Sequence, residues 1–206
     1  MPRRRESAEL RIVGGEYRGR KIKAVPGLGT RPLLAQVREA IFNILGPVLR
    51  GARIWDLFAG TGASGIEALS RGAQHVSFVE RSKKALLFLQ ENLSFLEEDD
   101  EGSLPYAVIR GDAWKPGHLL LAKQRGADLI FFDPPYADVE AMPARAIRAF
   151  STLVPLLAPC GTLVFHFPKA CFRAEDFEKP RDFETLCRVD LRTWGSSAVA
   201  FLRPPS

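Results

Sequence analysis

Between residues 52 and 170 the chain alternates two hydrophobic rhythms. Short apolar runs, "RIWDLF", "HVSFVE", "YAVIR", "ADLIFF" and "GTLVFHF", predict five strands. Between them lie segments with helical spacing: "GASGIEALSRG", "SKKALLFLQENLSFL" with Ser82 as its N-cap, residues 117–125, and a helix broken at Met142-Pro143 that ends near Pro155. Repeated strand–helix units predict a parallel sheet wrapped by helices. The end, "ETLCRVDLRTWGSSAVAFLR", predicts two more strands around a Gly195-Ser196 turn, hence an antiparallel hairpin on the sheet. Ahead of this body, "ELRIVGGEYRGRKIKAV" predicts a short β-hairpin with a glycine turn. "RPLLAQVREAIFNILGPVL" predicts a helix that Gly46-Pro47 ends or kinks. The expected division is an N-terminal arm, hairpin and helix over 1–50 and an α/β domain over 51–206.

Composition narrows the setting. The 206 residues are 46% hydrophobic, enough for one sizeable core. No apolar run is long enough to cross a bilayer, and "MPRRRESAELRI" lacks the apolar stretch of a secretory signal. Cys160, Cys171 and Cys187 form neither a disulfide framework nor a metal-ligand spacing, so the expectation is a cytoplasmic protein without a metal. The net charge of +5 is confined to one end: residues 1–23 carry eight Lys or Arg and three Glu, and the remainder is balanced. A basic arm on a neutral body suits a polyanion such as RNA or DNA; a solubilising tail has the same composition.

The chemistry gathers where strands end. In "DLFAGTGASG", Asp56, Gly60, Gly62 and Gly65 lie at the first strand-to-helix turn, where doubly wound sheets bind ligands. The glycines match G-x-G-x-x-G, which admits a dinucleotide. Asp56 opposes that reading, because a carboxylate repels a pyrophosphate. It favours S-adenosylmethionine (SAM), whose sulfonium and ammonium are cations. Glu80, closing the second strand, is placed to hold ribose hydroxyls, although a surface charge has the same sequence. Asp112, in "RGDAW", could accept from an adenine amino group or simply cap a helix.

"FFDPPY" closes the fourth strand. An exocyclic amine on a base is a poor nucleophile because its lone pair is delocalised into the ring. Two acceptors aimed at its hydrogens, Asp133 and a carbonyl of the stiff Pro134-Pro135 pair, would support the developing charge. Tyr136 could stack on the displaced base. His166, in "LVFHF", reads as a strand residue, and no nucleophile–His–acid set is visible.

"RIVGGEYRGRKI", "TRP", "VREAIFNIL", "DLFAGTGASGIEALSRGA", "VE", "GDAW" and "DPPY" occur in this order, and together they resemble the RsmD-type 16S rRNA guanine-N2 methyltransferases over nearly the whole chain. "DPPY" alone is shared with DNA adenine-N6 methyltransferases. The resemblance implies a class I SAM-dependent, Rossmann-like fold with a mostly parallel seven-stranded sheet. It implies SAM contacts at Asp56, Phe58, Gly60, Gly62, Glu80, Asp112 and Ala113, and a methyl acceptor at Asp133, Pro134, Pro135 and Tyr136. The substrate side is expected to use Arg18, Arg20, Lys21, Arg31 and Arg38 toward 16S rRNA or the small ribosomal subunit, with the protein a monomer. Where the family has a Thr-rich segment and an Asp-Arg pair, this chain has Leu33, Leu34, Ala35 and Gln36, which bears on RNA docking. The competing readings are a DNA adenine-N6 methyltransferase, a dinucleotide-dependent reductase, and a non-catalytic RNA-binding protein.

Overall fold

Alternating burial along the strands builds a sheet with a core on each face. The computed structural model describes residues 10–25, 35–97, 102–115, 126–173, 175–178 and 188–204. Its elements are β1 (Leu10–Arg11), β2 (Lys21–Ile22), α1 (Ala35–Leu49), β3 (Arg53–Leu57), α2 (Ala63–Ser70), β4 (His75–Glu80), α3 (Lys83–Leu93), β5 (Tyr106–Arg110) and β6 (Ala127–Phe132), then α4 (Tyr136–Ala141), α5 (Pro143–Leu153), β7 (Leu157–Pro168), α6 (Glu175–Glu178), β8 (Arg188–Trp194) and β9 (Ser197–Arg203). The seven-stranded sheet has the order β5-β4-β3-β6-β7-β9-β8. The β3–β4, β4–β5, β3–β6 and β6–β7 pairs are parallel, and β9 runs antiparallel to both β7 and β8. The chain leaves β3 toward β4 on one side and returns to β6 on the other. That reversal opens a crevice at the carboxyl ends of β3 and β6, the place where open α/β sheets bind ligands.

Strand alternation sets which side chains meet on each face. Ile54, Leu129, Phe131, Val164, Val199 and Phe201 join the core that contains the buried residues of α1 and the hairpin. Trp55, Leu57, Ile130, Phe132, Phe165 and Ala200 join the core under α4 and α5. By the same period, Asp56, Asp133, His166 and Ser197 belong to the α1 side.

Leu10, Ile12 and Ile22 of the hairpin and Val37, Ile41, Phe42, Leu45 and Leu49 of α1 share that core with the sheet. Of the end or kink expected at Gly46-Pro47, the end does not occur: α1 carries Pro47 inside and runs to Leu49. Pro47 forfeits the bond to the Asn43 carbonyl, and only two helical residues follow it, so the disruption is confined to the last turn. The break at Met142 is present (φ −143°, ψ 68°), with Pro143 opening α5, where its missing N–H is harmless. The predicted helix over 117–125 lies outside the described residues, as does Arg31. No helix among the described residues is long and apolar enough to cross a membrane.

Candidate active site

The loop from β3 to α2 is shaped by backbone that few side chains tolerate. Phe58 has φ 63°, Gly60 φ 56° and Gly62 φ 80°. Two acids hold this loop. Gly65 N–H donates to Asp56 Oδ2 at 2.9 Å, and Gly60 N–H donates to Glu80 Oε2 at 2.9 Å. Glu80 Oε1 accepts from the N–H groups of Arg81 (2.8 Å) and Ser82 (2.7 Å). The glycines are not equivalent. A Cβ on Gly65 would stand 2.2 Å from Phe78 Cε1, and one on Gly62 would stand 2.4 Å from Leu89 Cδ1. Close packing alone therefore requires those two. A Cβ on Gly60 would meet only the Phe58 carbonyl, at 3.8 Å, so Gly60 borders open space.

Asp56 is 3% exposed, and its pKa is pushed up to about 7. Burial is the main cause; the Gly65 hydrogen bond opposes it, and the nearby charges of Asp133 and Glu80 add to it. Three carboxylates thus converge on the switch point, and one of them is too poorly solvated to ionise easily. That donor set suits a cation and repels a pyrophosphate.

Asp112 opens a turn: Oδ1 accepts from Trp114 N–H at 3.1 Å, and its carbonyl accepts from Lys115 N–H at 2.8 Å. Ala113 and Trp114 beside it are buried. The Phe58 ring meets Trp114 edge-on at 5.1 Å, and Trp114 Nε1 donates to Asp138 Oδ2 at 3.0 Å. Arg81 lies 3.9 Å from Asp112 and 3.8 Å from Asp138, so one cation spans the turn after β5 and the first turn of α4.

Asp133 follows the last residue of β6 on the crevice edge. Pro134 is buried. The Pro135 carbonyl accepts from Asp138 N–H (2.9 Å) and Val139 N–H (3.2 Å), so it is committed to the first turn of α4. A set missed in the sequence appears here. His166 Nδ1 lies 2.8 Å from Asp133 Oδ1, and His166 Nε2 lies 2.7 Å from Tyr136 Oη. Tyr136 Oη in turn lies 2.8 Å from Ser197 Oγ. The signal was in the strand register. Phe131 pairs with Val164 and Phe132 with Phe165, so the next step places Asp133 beside His166.

On the substrate side, Arg18, Arg20 and Lys21 are exposed, and the Arg20 guanidinium stacks 3.6 Å over the Phe95 ring. Arg38 corrects the expectation. It is 1% exposed, donates to the Arg11 carbonyl and lies 4.0 Å from Glu67, so phosphate contact is closed to it. Glu67, fully buried, also accepts from Val13 N–H at 2.7 Å and from Arg71 Nε at 2.7 Å. The glycine turn of the hairpin is docked by the same helix: Glu16 N–H donates to the Ser70 carbonyl at 2.7 Å.

The family described as conserved hypothetical protein 95 matches residues 10–202. The chain is 35% identical to YlbH of Bacillus subtilis over 197 residues, which is 94% of this chain and 98% of that one. It belongs to the RsmD-type methyltransferase family. Ribosomal RNA small subunit methyltransferase D of Escherichia coli K12 is 36% identical over 135 residues, 66% of this chain and 64% of that protein. The solved structure of the Escherichia coli protein yhhF has a TM-score of 0.71 at 27% identity, covering 96% of this chain and 99% of that one. The fold is that of class I methyltransferases.

Proposed function

We propose that this family member transfers a methyl group from SAM to the exocyclic N2 of a guanine in small-subunit ribosomal RNA. The observation that carries the reading is the meeting of Asp56, Glu80 and Asp133 at the β3/β6 switch point. There a buried acid with a raised pKa faces two further acids, an environment that rewards a bound cation. SAM supplies an electrophilic methyl on a cationic sulfur and brings no phosphate.

Asp56 and the Gly60 edge of the loop would face the cationic part of SAM. Glu80 would hold the ribose, and Asp112, Ala113 and Phe58 would border the adenine. Asp133 would accept a hydrogen bond from the acceptor amine. With the Pro135 carbonyl committed to α4, the second acceptor falls to the carbonyl of Pro134. Catalysis would rest on alignment and on acceptors already in place where charge develops. Exposed Arg18, Arg20 and Lys21 would hold RNA phosphates. The family match and the name of the Escherichia coli relative support ribosomal RNA as the substrate.

The test is incubation with radiolabelled SAM and small ribosomal subunits or their RNA, followed by digestion and identification of the labelled nucleoside. N2-methylguanosine is expected. N6-methyladenine, or preference for duplex DNA, would overturn the base assignment and leave the SAM site standing.

A further inference from the structure

His166 has no part in the mechanism above, yet it occupies the middle of a four-residue chain of contacts from β6 to β9. Its ring is nearly buried, with 9% of the side chain exposed, whereas the Asp133 side chain is 38% exposed. Each ring nitrogen has a partner: Asp133 Oδ1 at 2.8 Å and Tyr136 Oη at 2.7 Å. The Tyr136 and His166 rings lie 5.1 Å apart. Ser197, next to the β8–β9 turn, anchors the phenol at 2.8 Å. Asp133 and His166 also share a recess with Ile41 and Phe42 of α1 and with Phe131 and Val164.

A carboxylate just beyond a strand end can rotate about both of its side-chain torsions. An acceptor that must meet an amine in one geometry loses effectiveness if it rotates. We propose that His166 is a positioning residue for Asp133. Nδ1 holds Oδ1, which turns Oδ2 toward the acceptor amine, while the Nε2–Tyr136–Ser197 contacts hold the imidazole in place. Apolar walls keep competing water from the contact and strengthen it. This inference rests on the methyl-transfer reading, but not on which base is methylated, since guanine N2 and adenine N6 both present N–H to Asp133.

Two amide substitutions separate the ring nitrogens. The Asn amide nitrogen falls near the position of imidazole Nδ1, and the Gln amide nitrogen near Nε2. His166→Asn therefore keeps the donor to Asp133, and His166→Gln keeps only the contact to Tyr136. Steady-state kinetics with small-subunit RNA should show His166→Gln losing about 10- to 100-fold in kcat, the scale of a misplaced reacting group. KM for RNA and for SAM should stay within about twofold, the sign of an interaction made in the transition state. His166→Asn should recover kcat to within about threefold of wild type by the same criterion. Equal kcat in the two variants, or a change confined to KM, would overturn the role of His166 while the enzyme's function stands. An N6-methyladenine product would do the reverse. Should His166→Gln fail to fold by circular dichroism, Tyr136→Phe decides. It keeps the ring, removes the hydroxyl that links Nε2 to Ser197, and should lower kcat; unchanged kcat there overturns the proposal.

Discussion

Two buried carboxylates lie on one side of the sheet and experience opposite surroundings. Glu67 in α2 is 0% exposed and Asp56 in β3 is 3% exposed. Glu67 is enclosed by compensation: Arg71 at 2.7 Å, the Val13 N–H at 2.7 Å, and the Arg38 guanidinium at 4.0 Å. Asp56 has the Gly65 N–H, and its charged neighbours are acids. The first charge is complete within the fold and ties α2 to α1 and to the hairpin. The second is left with an excess of its own sign, which a fold tolerates where a ligand brings the opposite one.

The largest expected effect breaks the compensated side. Glu67→Ala would strand Arg38, whose pKa burial already pushes below the ordinary guanidinium value against the pull of Glu67. Removing one partner of a buried pair costs about 3–5 kcal/mol, read as a lowered denaturant midpoint. A midpoint within experimental scatter of wild type would show that the pair contributes little and that the contrast with Asp56 is not electrostatic.

The same operation on the acidic edge should separate activity from stability. Asp133→Ala should lower turnover by about 10²-fold or more, the scale of one preorganised contact at the reacting atoms. SAM affinity should change little. Stability should change little, because relief of the like charge near Asp56 is offset by loss of the partner of the nearly buried His166 Nδ1. Near-normal turnover in Asp133→Ala would remove Asp133 from the site.

Asp56 itself predicts a pH dependence. Its folded pKa, about 7, lies above its ordinary value of 3.8. The native state therefore binds the extra proton between those values. This contribution to stability is fully present below about pH 4 and is lost as pH rises toward 7. A cationic ligand needs the ionised form. SAM affinity should weaken about fivefold between pH 7 and pH 6, by proton linkage, and gain at most about twofold above pH 7. Titration calorimetry in buffers of different ionisation enthalpy would detect the released proton. Asp56→Asn should flatten the profile, and a flat wild-type profile would show that the cation lies elsewhere.

These contrasts were unequally legible in the sequence. Apolar alternation and helical spacing located the strands and helices, because they report which residues must be buried. Strand-end position located Asp56, Glu80 and Asp133, because a parallel sheet brings the carboxyl ends of its strands to one edge. What sequence spacing hides is partnership across the chain. Arg38 looked like a free cation until α2 supplied Glu67, 29 positions away. His166 looked like an ordinary strand residue because Asp133 is 33 positions distant and only the β6–β7 register joins them. Gly62 and Gly65 looked like ligand-loop glycines, whereas Leu89 and Phe78 already require them. Pro47 fell in the last turn of α1, where only two residues follow it, so the helix ends just beyond it and not at it.

The smallest expected effect concerns the basic surface. Truncation of residues 1–23 would be a poor probe of it, because Leu10, Ile12 and Ile22 belong to the core shared with the sheet. Substitution at the surface is cleaner. Arg18, Arg20 and Lys21 are all exposed, and Arg20 also stacks on Phe95. The double variant Arg18→Gln with Lys21→Gln should therefore leave folding and SAM binding as they are. Each phosphate contact contributes about 0.7–0.9 to the slope of log affinity against log salt, so losing two should make that slope shallower by about 1.5. At fixed moderate salt the affinity for RNA should fall only modestly, so the slope is the more discriminating readout. An unchanged slope would mean that these two cations face solvent in the complex. The hairpin would then serve, like Glu67, to complete the core, and the phosphate contacts would have to come from another surface.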